Sequence, residues 1–76
     1  MRISISQQIA AVQREIEKRK RVYPRLVWKG DMRKVEADYQ IEAMQAVLQT
    51  LEWVKNNEKE IREWFEEKKS ANAQDR

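Results

Sequence analysis

Two carboxylate pairs, Glu15 with Glu17 and Glu66 with Glu67, are this chain's candidates for acid–base chemistry. Paired carboxylates serve enzymes by splitting into an acid and a base, which requires environments that push their pKa values apart. Here each pair sits beside lysines and arginines in a stretch of helical periodicity, where a carboxylate ordinarily belongs to a solvated face. The other reagents of catalysis are absent. With no histidine and no cysteine, disulfides, the common zinc sites and a Glu-x-x-His di-iron motif are excluded. The serines, Ser4, Ser6 and Ser70, stand near the chain ends with no base positioned to activate them. The chain is read as non-enzymatic, with no metal and no cofactor.

Cations offer a second chemistry. Lys18-Arg19-Lys20-Arg21 lies between Arg14 and Arg25. Four consecutive residues spread around a helix, but Arg14, Lys18, Arg21 and Arg25 recur at steps of 4, 3 and 4 and share one face. Clustered Lys and Arg on one face are what phosphate contacts need. No helix-turn-helix or zinc-finger pattern accompanies them. Residues 1–34 hold ten Lys/Arg against three acids (net +7), and residues 35–76 hold six against ten (net −4). Such a split marks either a nucleic-acid arm or two halves that face each other. The second is expected here, with the basic stretch lying alongside Glu36, Asp38 and Glu42.

The third group is apolar and aromatic: Trp53, Ile61, Trp64 and Phe65. An aromatic stripe on a helix end without an intrachain partner is an association surface. These four are the candidate contacts with a second copy or another protein. Arg14, Lys18, Arg21 and Arg25 are the alternative, nucleic-acid contacts.

The elements that position these groups are helices. Seventy-six residues make one small domain, and a single Gly and a single Pro speak against sandwiches and barrels, which need frequent turns. Ser4 with Gln7 is a capping-box pair. From there Ile5, Ile9, Val12, Ile16, Arg19, Tyr23 and Leu26 recur at steps of 4 and 3, a seam with one charged member. Arg19 is read as a polar register-setter held by Asp38 or Glu42. Pro24 should kink this helix, and Lys29-Gly30 should end it with Gly in the left-handed conformation. Asp31 is expected to cap the second helix. The second stripe is Ala37, Ile41, Met44, Leu48 and Leu51, continued after a phase slip by Val54, Ile61 and Phe65. A continuous helix from about 32 to 68 is expected, although Asn57-x-x-Glu60 is a possible second capping box.

Gly30 is the strong turn signal, so the fold class is all-α: an antiparallel helical hairpin over residues 1–69, with 70–76 a flexible polar tail. Residues whose numbers sum to about 60 should face each other. Residues 57–68 then overhang the first helix by about 18 Å, at about 1.5 Å per residue. A chain below roughly 80 residues seldom builds a sufficient core alone, so dimerisation into a four-helix bundle is expected. The first residues lack the apolar core of a signal peptide and no apolar run is long enough to cross a bilayer. A cytoplasmic protein with no membrane partner is expected.

Arg19-x-x-Val22-Tyr23-Pro24, Gly30-x-Met32 and Ala37-Asp38-x-x-Ile41-x-x-Met44-x-Ala46-Val47-Leu48-x-Thr50-Leu51 together resemble a pattern in small phage and prophage helical-hairpin proteins. The likeness covers about residues 9–52, and the aromatic extension after Leu51 departs from the shorter members. It implies a phage accessory protein in a bacterial cytoplasm, a setting and not a mechanism. The reading is a protein that binds and modulates, or inhibits, a host or phage protein.

Overall fold

A computed structural model describes residues 1–74, with side chains described through Lys68. Three helices follow in order: α1 Ile5–Lys29, α2 Lys34–Asn56 and α3 Glu58–Gln74. Helices α1 and α2 pack together as the expected hairpin, and α3 carries the chain beyond its open end.

Local chemistry explains each boundary. Ser4 Oγ accepts from the Gln7 N–H at 3.1 Å while Gln7 Oε1 accepts from the Ser4 N–H at 2.8 Å, so the capping box satisfies two donors that the helix start would leave unpaired. At the other end Gly30 adopts φ 83°. Its N–H donates to Val27 O (3.0 Å) and the Asp31 N–H donates to Leu26 O (2.9 Å), the paired closure of a Schellman motif. That use of Asp31 corrects its expected role. Asp31 lies in the turn that closes α1, and α2 begins later, with Arg33 at the N-cap and no side-chain cap. Pro24 lies inside α1, which is helical on both sides of it.

The expected continuous second helix is also corrected. Asn57 interrupts it at φ −114°, ψ 13°. Its side-chain amide donates back to Trp53 O at 2.7 Å, the local competition with backbone bonding that disfavours Asn inside helices. Helical bonding resumes as the Ile61 N–H donates to Asn57 O at 2.9 Å. Asn57 therefore closes α2, and no Asn57–Glu60 capping box forms. The expected tail, 70–76, falls where side chains lie outside the description.

The hairpin register matches a sum near 60. Ile5 and Gln8 share a groove with Leu51 and Val54, and Ile16 shares one with Leu48. The seam is thin, however. Ile9, Ile16 and Ala37 are the buried apolar residues, and no described side chain is fully buried. The chain exposes 6892 Å², whereas a compact 9.2 kDa monomer exposes about 4,900 Å². Its radius of gyration, 18.8 Å, exceeds the roughly 11 Å of a compact domain of this length.

Candidate functional site: the exposed faces of the hairpin

Three surfaces carry the candidate residues, and α1 positions the first. At about 100° per residue, Arg14, Lys18, Arg21 and Arg25 fall within a sector of about 60°. Ile9 and Ile16, which α2 covers, lie about 160° away around the same helix. The basic ridge thus points away from α2, and all four side chains are exposed. This corrects the expected neutralisation by Glu36, Asp38 and Glu42. Among the described residues the ion pairs are Arg19–Glu15, Lys34–Asp38 and Arg62–Glu58, each within one helix at i, i+4. None joins α1 to α2, and none includes a ridge cation.

Arg19 does cross the seam, with a different partner from those expected. Its Nη1 donates to the Gln40 backbone oxygen at 3.1 Å, and its Nε to Glu15 Oε1 at 2.8 Å. The guanidinium also lies 5.8 Å from the Tyr23 ring centroid. Asp38 is paired instead with Lys34 Nζ at 2.9 Å. Glu42 faces away from α1: at about 100° per residue it lies some 140° around α2 from Ala37. The hydrogen bond from Arg19 lowers the pKa of the Glu15 carboxyl from its ordinary value. A carboxylate so stabilised is a poor general base near neutrality.

The aromatic overhang is the second surface. Trp53, Trp64 and Phe65 are 60, 55 and 67 % exposed, while Ile61 is half-buried. Trp64 and Phe65 meet edge-to-face with centroids 5.8 Å apart, and Lys68 Nζ stands 5.6 Å from the Trp64 ring centroid. Trp64, Phe65 and Ile61 share one side of α3. Trp53 does not join them. It lies on the outer side of α2, about 160° from Ala37, with Val35 and Tyr39, which are also exposed. Sequence reasoning missed those two residues. The series Val35, Tyr39, Ala46, Trp53, at steps of 4, 7 and 7, was the available signal.

The third surface is a cleft that sequence reasoning also missed. Beside the turn, Tyr23, Pro24, Val27 and Trp28 of α1 and Ala37 and Ile41 of α2 enclose about 340 Å³, with Lys34 and Asp38 also lining it. The short side chain of Ala37 leaves this space where a larger residue would fill it. Trp28, 88 % exposed, forms the outer wall. Among the described residues, no helix is long and apolar enough to cross a membrane. No protein-family model matches the chain, and no curated protein or solved structure matches it significantly.

Proposed function

We propose that this protein is a non-enzymatic accessory protein that acts by associating with other protein chains and modulates, or inhibits, the one it binds. The observation that carries the reading is the surface that the chain leaves uncovered: about 2,000 Å² more than a compact monomer of its mass would expose. Stable interfaces bury roughly 800 Å² on each partner, and obligate ones more. Trp53, Ile61, Trp64 and Phe65 are the contacts proposed, extended by Val35 and Tyr39. Two hairpins meeting as a four-helix bundle would cover part of this surface, and a partner protein would take the rest. A bend at Pro24 belongs to the same reading, because it would tilt the last turn of α1 and set the width of the cleft. The bacterial cytoplasm and phage setting rest on the sequence likeness alone. Sedimentation equilibrium over a wide concentration range tests the reading. It expects a mass above that of one chain that falls on dilution. A single-chain mass throughout, with no protein captured from bacterial lysate, would sink it.

A second reading, nucleic-acid binding through α1, is favoured by one observation: Arg14, Lys18, Arg21 and Arg25 line an exposed face with no ion pair among the described residues.

A further inference from the structure

The basic ridge and the apolar cleft meet at Trp28. Arg14 to Arg25 rise along α1 by about 16 Å, and Trp28 follows Arg25 by one turn on the same side of the helix. Around the helix Trp28 lies about 50° from the centre of the ridge, and Pro24 about 40° further on. Trp28 is thus the shared edge between a row of cations and the cleft formed with Tyr23, Pro24, Val27, Ala37 and Ile41. Lys29 adds a cation next to it in the last turn.

We propose that this end of the hairpin binds single-stranded nucleic acid, with phosphates along Arg14, Lys18, Arg21 and Arg25 and one unstacked base lodged against Trp28 in the cleft. The inference rests on the second reading above and adds to it the strand state and the base site. Cations in single file suit one backbone. Four cations along about 16 Å contact about four phosphates, a short site of the size single-strand binders use. An exposed indole offers a stacking face, and only an unpaired base can present its own face to it. The 340 Å³ cleft lies at the small end of the roughly 300–1,000 Å³ range of ligand pockets. Lys34 and Asp38, which also line it, are paired with each other at 2.9 Å, and the ammonium keeps further N–H donors for a base edge. Glu15 and Glu17 flank the ridge on its two sides, and Glu15 is already hydrogen-bonded to Arg19. An anionic membrane is the weaker occupant. A helix that lies on lipid sinks its apolar face between its cations, and the apolar face of α1 is packed on α2.

The test is fluorescence anisotropy of a labelled oligothymidylate of about eight nucleotides titrated with the full chain, beside a GC-rich hairpin duplex that stays paired at 50 mM salt. Binding to the single strand should weaken about fiftyfold from 50 to 200 mM salt, as four phosphate contacts require. Arg14→Glu/Arg21→Glu should lose at least tenfold at the lower salt. Trp28→Ala should lose at least fivefold and Trp28→Phe much less, since stacking survives the second change. All these side chains are exposed, so each variant should stay helical, which circular dichroism checks. If the duplex binds as tightly as the single strand and Trp28→Ala changes nothing, this inference is overturned while the second reading stands. If neither nucleic acid binds at 50 mM salt, or if polyglutamate or phosphatidylserine vesicles bind and nucleic acids do not, both fall.

Discussion

The guanidinium of Arg19 in α1 donates through Nη1 to the backbone oxygen of Gln40 in α2 at 3.1 Å and reaches the Gln40 side-chain Oε1 at 3.4 Å. Through Nε it also holds Glu15, one turn back on its own helix. Among the described residues it is the side chain that hydrogen-bonds across the seam, so it fixes the register that the thin apolar contact specifies weakly. Arg19→Ala should cost about 1.5–2 kcal/mol, the low end of the range for a hydrogen bond from a charged group. Arg19→Lys should recover little, because an ammonium lacks the fork that reaches two acceptors at once. Urea unfolding monitored by circular dichroism measures both. Equal midpoints for the parent and Arg19→Ala would show that the bond sets nothing.

The Arg19–Glu15 pair also predicts a direction with pH. Glu15 has its folded-state pKa lowered by the hydrogen bond from Arg19. Its contribution is therefore present above the ordinary carboxylate pKa and fades as pH falls through the lowered one. Lys34 is raised by its bond to Asp38. Its contribution is present below the ordinary lysine pKa and fades as pH climbs through the raised value. Both groups are solvent-exposed, so the effects are small and salt-sensitive. The melting temperature of Glu15→Gln should depend less on pH between about 5 and 3 than that of the parent. Parallel profiles would reject the pair as a contributor.

At the turn, Gly30 stands at φ 83° with nothing near the position that a Cβ would occupy. Gly30→Ala should therefore cost only the backbone strain of a left-handed alanine, about 1 kcal/mol. Gly30→Asn should cost less, since Asn tolerates this conformation better. A loss well above that for Gly30→Ala would mean that the turn packs against another chain, and repeating the measurement at several concentrations separates the two causes.

In the seam, Leu48 shares a groove with Ile16. Leu48→Asp puts a carboxylate into the contact that holds α1 on α2, a change in the class that costs about 3 kcal/mol or more. With so little buried around it, the hairpin should lose cooperative melting. An unchanged melt would put the residue 48 contact, and the register with it, in error.

What the sequence made legible here was local or arithmetic. Ser4 with Gln7, and Gly30 after Lys29, are signals complete within a few residues, and a turn at residue 30 leaves one simple pairing. The errors arose where one residue had two possible uses. Asp31 could cap α2 or close α1, and backbone closure of α1 came first in space. Asn57 could start a helix or end one, and its amide turned back to Trp53. The charge asymmetry misled because it was counted along the chain and not around the helix. The 4-3-4 spacing of the ridge and the spacing of the seam already put them on opposite sides of α1. The cleft at Trp28 was only half readable: a sum near 60 already sets Ala37 opposite Tyr23, but the space that the short alanine leaves there depends on packing.

The overhang and the outer face of α2 make separable predictions about association. Trp64 and Phe65 project beyond the end of α1. Burying a large apolar side chain is worth roughly 1.5–3 kcal/mol, less here because Lys68 and the edge contact already cover part of the Trp64 ring. Association entropy offsets a sizeable share of the remainder. Trp64→Ser/Phe65→Ser should still weaken self-association, or capture of a protein partner, by tenfold or more while the hairpin stays helical. Val35→Ser/Tyr39→Ser removes apolar surface from the back of α2 and leaves the overhang intact. If the overhang is the contact, the first pair lowers the sedimenting mass at a given concentration and the second does not. If the ranking reverses, the hairpins meet along α2, and Trp53 is the one residue of the expected set in that interface. Should neither pair change the mass or the capture, the apolar surface is not what joins the chains.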